Sequence, residues 1–371
     1  MLPTSPPTGY ARLSPNAARA VLLGLAGLCA FLVAVSLSPR AIVNPGKPEG
    51  RSVGDPALYR AEAERVRAGE PYYDVLAEEL PARGYPTRSV FNWRTPLPVW
   101  LIGKLPSAGW GKTLLGLLGL ALLIASFEAI ARDGSVCRAI AAACLLTGPL
   151  LLAMQDDHFC MPVLWSGTLI GLSVAAYGLR RPAWGVGLGL AAVLFRELAL
   201  PYALLMAVMA LAHRRWRELV AWSAGLAAWL AFFGWHCVAV LPRIGPEAIA
   251  HEHGWLRLAG ASFVLATVQM NAYLIVLPQW VAALYFAGAM LGLAGWHTPL
   301  GQRAGLVACL LVAAFAVVGQ PFNQYWGALA APLLCFGVAR APASLRELWH
   351  ALAPARLGRT TPASRGACPR A

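Results

Sequence analysis

Residues 113–131 read TLLGLLGLALLIASFEAIA, a run of nineteen residues with a single charge, Glu128. About 20 mostly apolar residues are enough for a helix to cross the hydrocarbon core of a bilayer. The same bias runs through the whole chain, where 58% of the 371 residues are hydrophobic and 13% are charged. A soluble protein has roughly 45–50% apolar and about 25% charged residues. The sequence therefore predicts an all-α polytopic membrane protein and excludes a soluble enzyme, a secreted disulfide scaffold and a disordered chain.

The net charge of +13 comes from 30 Lys and Arg against 17 Asp and Glu. The basic residues lie mostly between the apolar runs, which favours membrane lipids as partners and not nucleic acid. The eight cysteines are scattered, mostly within apolar runs and without a CxxC pair, so they predict neither a disulfide framework nor a zinc site. The run 20–38 is long enough to span a membrane and no clear cleavage site follows it, which predicts a first anchor.

Ten apolar runs mark the candidate spans, near residues 20–38, 113–131, 137–154, 162–179, 184–196, 198–212, 218–241, 279–296, 304–319 and 327–340. Short loops rich in Lys and Arg lie on the cytoplasmic side of a membrane. Arg180 and Arg181 fill one such loop, whereas the loops around Asp156 and Asn323 contain no Lys or Arg. We therefore expect both termini in the cytoplasm of a bacterial inner-membrane protein, which requires an even number of spans.

Two further apolar segments are too short to cross the membrane. Because the number of spans must be even, we place both on the outer side. We expect Pro96–Leu105 and Phe263–Leu277 to lie on or dip into the outer face. The runs 184–196 and 198–212 have cytoplasmic flanks and must form a hairpin with its tip at residues 195–198. Charges at that depth are tolerated only when they are buried in protein or line a wet cavity.

The chain divides into one transmembrane domain, residues 1–340, and a basic cytoplasmic tail, residues 341–371, which we expect to be largely disordered. The first outer loop, residues 39–112, is the longest segment between spans. A helix is predicted from Asp55 to Gly69, because Pro suits the first helical turn and Gly ends a helix. A second is predicted near residues 74–82.

The polar residues that can carry chemistry gather in the outer loops: Asp55, Tyr59, Asn92, Arg94, Asp156, Asp157, His158, Arg196, Glu197, His251, Glu252, His253, Asn323 and Tyr325. Acids and bases thus converge on one face of the membrane. This is what an enzyme needs to act on a membrane-anchored substrate outside the cytoplasm. The two histidines at 251 and 253 do not have the spacing of a helical zinc pair, which is i, i+4.

Several motifs in order resemble the GT-C superfamily of membrane glycosyltransferases that use polyprenyl-phosphate sugars, and the mannosyltransferase-like family 87 group within it. They are GDPALY at residues 54–59, GEPYY at 69–73, FNWRTPLP at 91–98, DDH at 156–158, LFREL at 194–198 and FNQYWG at 322–327. The resemblance covers residues 20–340. It implies a GT-C-like fold of about ten helices, with transfer of a hexosyl unit and inversion at the anomeric carbon. The acceptor would be an envelope glycan, lipid or protein on the outer face.

The resemblance also implies roles for individual residues. Asp55 matches the first-loop aspartate that acts as general base. Asp156 or Asp157 matches the second acidic motif, which would orient the acceptor or hold Mg²⁺ or Mn²⁺ with Asp55, and His158 could join them. Arg196, beside Glu197, suits the leaving lipid phosphate, because a guanidinium binds phosphate oxygens bidentately.

Each of these residues also has a structural interpretation, which the sequence leaves open. Asp55 could serve merely as a cap of its helix, and Asp156 or Asp157 merely as a cap of a helix or turn. Arg196 and Glu197 could simply pair with each other or with neighbouring groups. Arg94 is a second candidate for the phosphate or an interfacial residue beside Trp93. Tyr325 and Trp326 line a substrate path or belong to an aromatic belt. At the level of the whole protein, the alternatives are a transporter or flippase for a lipid-linked glycan and a non-catalytic protein of envelope assembly.

Overall fold

The computed structural model describes residues 8–38, 54–250 and 258–352. Within these ranges the chain forms fourteen α-helices and no strand. The helices are α1 (Pro15–Leu37), α2 (Asp55–Arg67), α3 (Tyr72–Ala82), α4 (Leu97–Lys104), α5 (Ala108–Arg132), α6 (Val136–Met154), α7 (Pro162–Gly178), α8 (Pro182–Phe195), α9 (Leu200–Ala212), α10 (Trp216–Val240), α11 (Gly260–Val268), α12 (Gln279–Ala294), α13 (Pro299–Val317) and α14 (Ala331–Leu352). The predicted all-α fold is confirmed.

Every one of the ten predicted apolar runs coincides with a helix. Five of the described helices are long and apolar enough to cross a membrane by themselves: α1, α5, α6, α10 and α13. A sixth candidate is the 3₁₀ segment Pro321–Leu329 together with α14, which bend by 68°. The remaining four, α7, α8, α9 and α12, are apolar but shorter. The protein is thus a multi-pass membrane protein, and the ten-span topology stays a prediction.

Helix α7 forms the centre of the bundle, since nearly all of its residues are buried. It packs against α5 and α8 and against the 3₁₀ segment before α14. Gly167 permits the closest of these approaches, because a Cβ atom there would lie 2.1 Å from the backbone oxygen of Ala328. Small residues allow membrane helices to approach in this way.

The segment Phe263–Leu277 is buried in its first part and exposed at its end, where Ile275, Val276 and Leu277 are 45%, 78% and 42% exposed. It begins within α11, whose residues Phe263–Val268 are all buried. The polar side chains that suggested contact with water are satisfied by the backbone: Gln269 donates to the carbonyl of Leu277, and Asn271 accepts from the N–H of Tyr273. The first part of the segment therefore packs inside the protein, and its placement on or in the outer face of the membrane stays a prediction. The other short segment forms α4.

The last helix continues well past the predicted boundary at residue 340. Helix α14 runs to Leu352 because its second half is amphipathic, with Ala341, Ser344 and Leu348 turned inward. Leu348 packs with Ala18 of α1. The predicted tail is therefore helical over its first residues, and residues 353–371 lie outside the described ranges.

Candidate active site

One face of α2 carries the first part of the site. Asp55, Tyr59 and Glu62 are spaced i, i+4, i+7, which places them on one side of a helix. Tyr59 and Glu62 are 2% and 1% exposed, whereas Asp55 is half-buried. Helix α2 packs against α3 and α4 in the first outer loop. The inward face of an outer-loop helix is therefore polar at three successive turns.

Asp55 does not cap its helix. Gly54 occupies the capping position with φ of +114°, a conformation that favours glycine, and no side chain caps this end. Asp55 is the first helical residue, and its Oδ1 accepts a hydrogen bond of 2.7 Å from the hydroxyl of Tyr85. The interpretation of Asp55 as a cap is wrong. Its carboxylate is instead oriented by a tyrosine.

The hairpin tip brings a buried cation to the same place. Helix α8 ends at Phe195, and Arg196 is extended, with φ −153° and ψ 120°. Its side chain is 2% exposed, and its Nε and Nη1 atoms have no hydrogen-bond partner. The nearest counter-charge is Glu197, whose Oε1 lies 3.5 Å from Nη1. A buried guanidinium with unpaired donors is costly to maintain, and an anion bound in this position would satisfy them.

Arg94 approaches from the first outer loop. Its Nε donates to the Tyr59 hydroxyl at 3.1 Å, and its Nη1 lies 3.8 Å from Oε1 of Glu197. The preceding Trp93 is buried and donates from Nε1 to the carbonyl of Thr87. Arg94 is therefore not an interfacial residue beside an interfacial tryptophan. Two arginines flank one glutamate.

We call these side chains the polar cluster: Asp55, Tyr59, Glu62, Arg94, Arg196, Glu197 and Tyr325. Asp55, Arg94 and Arg196 all act electrostatically on the hydroxyls of both Tyr59 and Tyr325. Burial raises the pKa of Tyr59, Arg94 and Arg196 lower it, and Asp55 raises it, with a net increase. Of the eight predicted site residues, five belong to this cluster.

Glu62 is a site residue that the sequence interpretation missed. Burial raises its pKa to about 8, with Arg94 opposing and Glu79 and Asp55 adding to the increase. Its Oε2 has no hydrogen-bond partner. The signal in the sequence was its spacing of seven residues from Asp55, on the same face as Tyr59. A buried glutamate beside the apolar residues Leu58 and Val66 is unusual unless it has a polar partner.

The three remaining predicted residues lie elsewhere. Asp157 pairs with Arg60, which projects from a different face of α2 than Asp55 does. Asp156 is exposed in a turn with φ of +36°. His158 forms a hydrogen bond of 3.1 Å between its Nδ1 and the carbonyl of Gln155. The structure therefore does not bring the second outer loop into the polar cluster.

The sequence left open whether Asp55 holds Mg²⁺ or Mn²⁺ together with Asp156 or Asp157. Among residues 8–38, 54–250 and 258–352, no three His, Cys, Asp or Glu side chains gather around a common point. Asp157, one of the two alternatives for a partner of Asp55, pairs with Arg60. His251, Glu252 and His253 lie outside the described residues.

The last outer loop contributes Tyr325 to the cluster and Trp326 to the core. Trp326 is 5% exposed and contacts the rings of Phe263 and Phe315. Trp326 is therefore a core residue and belongs neither to an aromatic belt nor to the lining of a substrate path. Tyr325 is half-buried beside Asp55 and the two arginines, so it is not a lipid-facing belt residue.

No protein-family model and no curated protein matches the sequence. Among solved structures, the chain is similar to the crystal structure of ArnT from Cupriavidus metallidurans in the apo state, with 16% sequence identity and a TM-score of 0.48. The similarity covers 88% of this chain and 60% of that chain, so this chain spans less than two thirds of ArnT. These values describe a distant likeness in fold.

Proposed function

We propose that the protein is a GT-C-type membrane glycosyltransferase. It would move a hexosyl unit from a polyprenyl-phosphate donor to an acceptor hydroxyl on the outer face of the bacterial inner membrane. The acceptor would be an envelope glycan, lipid or protein. The order of sequence motifs that resemble this superfamily supports the proposal, and so does the gathering of five predicted residues in one cluster.

The observation that carries the proposal is the buried guanidinium of Arg196, which has two unpaired nitrogens in the same cluster as Asp55. A lipid phosphate is a doubly charged leaving group with oxygens spaced for a guanidinium. Arg94 adds a second positive charge, and Glu197 lies within 4 Å of both arginines. Fixed charges of this kind stabilise the negative charge that develops on a leaving group.

Asp55 would act as the general base. Tyr85 holds its Oδ1, and we assign the acceptor proton to Oδ2. The acceptor oxygen forms a bond to the anomeric carbon while the bond from that carbon to the phosphate oxygen breaks. The proton passes to Asp55, and the bonding electrons leave with the phosphate toward Arg196 and Arg94. This attack from the opposite side inverts the anomeric centre, and positioned proton transfer contributes about 10²–10⁴-fold.

Asp156, Asp157 and His158 have no step in this scheme, because the structure does not bring them into the cluster. No step uses a metal ion. The scheme also needs no nucleotide, since the lipid phosphate already activates the sugar.

Variants of Arg196 test the proposal. The purified chain is supplied with a polyprenyl-phosphate hexose and membrane extract as acceptor, and release of polyprenyl phosphate is measured. Arg196→Ala should lower turnover about 10²–10³-fold, and Arg196→Lys should recover only part of it, because an ammonium cannot replace the bidentate fork. Arg60→Ala is the matched control, since Arg60 pairs with Asp157 on another face of α2. Unchanged turnover in folded Arg196→Ala would refute the phosphate role.

A further inference from the structure

A separate cavity of about 300 Å³ opens between the first outer loop and α10. The residues that line it include Glu70, Tyr72, Tyr73, Trp100, Lys104, Trp235 and Arg243. Its volume is at the lower end of the range for small-molecule pockets. No step of the proposed transfer uses this cavity.

Four aromatic rings form a continuous wall of this cavity. Trp100 and Trp235 meet with ring centroids 6.0 Å apart, and their neighbours Tyr72 and Tyr73 lie 6.2 Å and 5.8 Å from them, respectively. The negative faces of such rings attract organic cations, and tryptophan does so best. Arg243 already uses this attraction, because its guanidinium lies over the ring of Tyr73. The wall therefore suits an amine.

Charges of both signs surround the rim. Lys104 is exposed, and none of the carboxylates that the structure describes pairs with it. Glu70 is exposed on the rim and is held by Arg65. Arg243 is held by Asp74 at 2.7 Å. The rim thus offers an unpaired cation for a phosphate, beside an aromatic corner for an amine and the paired carboxylate of Glu70.

The neighbouring surface of α10 is apolar and faces outward. Trp235 and Val238 are three residues apart on one side of the helix and are 47% and 70% exposed. Trp235 lies in the last turns of α10, at the end that the predicted topology places at the outer interface, where tryptophan is enriched. A ligand in the cavity can therefore continue as a hydrocarbon chain along α10.

We propose that this cavity binds the headgroup of an outer-leaflet phospholipid that carries both a phosphate and an amine. The amine packs against Trp100 and Trp235 near Glu70, the phosphate contacts Lys104, and the acyl chains lie on α10. Tyr72 connects this site to the polar cluster, since its ring forms part of the wall and its hydroxyl donates to the carbonyl of Arg94 at 2.8 Å. A bound headgroup would stabilise the outer loop that holds Arg94.

Lipid titration tests the site without relying on the proposed enzyme activity. The full chain in detergent is titrated with dioctanoyl phosphatidylethanolamine, dioctanoyl phosphatidylglycerol and glycerophosphoethanolamine, and binding is followed by native mass spectrometry. We expect the ethanolamine lipid to bind about ten-fold more tightly than the glycerol lipid, because only the former has a cation for the rings. Glycerophosphoethanolamine, which lacks acyl chains, should bind at least about ten-fold more weakly than the ethanolamine lipid. Equal affinities for the two lipids would overturn recognition of the amine. An equal affinity for glycerophosphoethanolamine and the ethanolamine lipid would overturn a membrane lipid as the ligand.

Two variants assign the contacts. Trp235→Ala should weaken the binding of the ethanolamine lipid about ten-fold, so that it binds no more tightly than the glycerol lipid. Trp216→Ala, at the other end of α10 and similarly exposed, is the matched control and should change neither. Lys104→Gln should weaken the binding of both lipids, since both contain the phosphate. Because Lys104 is exposed, this substitution should not disturb folding. An equal loss in Trp216→Ala, or no loss in Lys104→Gln, overturns the assignment.

Discussion

Glu62 makes the stability of the protein depend on pH in a way that one substitution removes. Its pKa is raised from 4.5 to about 8, so across this range the folded chain holds a proton that the unfolded chain has lost. The contribution is fully present below pH 4.5 and is lost as pH rises through about 8. Each pH unit within the range costs roughly 1.4 kcal/mol of unfolding free energy. Between pH 5 and pH 8, Glu62 should therefore destabilise the fold by roughly 4 kcal/mol.

The assay is the free energy of unfolding in detergent at pH 5, 6, 7 and 8, followed by tryptophan fluorescence. Glu62→Gln keeps the shape of the neutral carboxyl and cannot ionise. The stability of wild type relative to this variant should fall by roughly 4 kcal/mol from pH 5 to pH 8. Glu64→Gln, an exposed glutamate two residues along the same helix, controls for general effects of charge. Parallel pH profiles of wild type and Glu62→Gln would refute the buried, protonated state of Glu62.

The remaining predictions concern the base, the packing and the topology. Tyr85→Phe removes one hydrogen bond to the proposed base and should lower turnover about ten-fold, measured as polyprenyl phosphate release, with the KM for the donor unchanged. Gly167→Ala places a Cβ against backbone and should lower the free energy of unfolding by about 1–3 kcal/mol, whereas Gly24→Ala, where a Cβ meets nothing within 4 Å, should not. In a background without native cysteines, a membrane-impermeant thiol reagent should label cysteine at Asp156 in intact cells and not cysteine at Arg346; the reverse pattern would contradict the predicted orientation.

The helices could be predicted because hydropathy reports directly on burial in a bilayer. All ten apolar runs coincide with helices, and the helix that begins at Asp55 was predicted from Pro56 and Gly69. The end of α14 was missed because only tertiary packing, such as the burial of Leu348, distinguishes an amphipathic helix from a polar tail.

The site was predicted in part, and the limits follow from geometry. Arg196 and Glu197 stood out because charges within an apolar hairpin must be buried or paired. Asp157 could not be placed, since whether it faces Asp55 or Arg60 depends on the rotation of α2 against a distant loop. To predict Glu62 as part of the cluster, one must know both the helical register of α2 and which face of α2 is buried. The sequence alone does not show which face of an outer-loop helix is buried.

The most direct test of the central claim is the turnover of Asp55→Asn. Asparagine retains an oxygen that accepts the hydrogen bond from Tyr85 and loses the affinity for a proton. If Asp55 is the base, release of polyprenyl phosphate from a polyprenyl-phosphate sugar should fall about 10²–10⁴-fold while the melting temperature stays the same. Turnover of Asp55→Asn close to that of wild type would contradict the account.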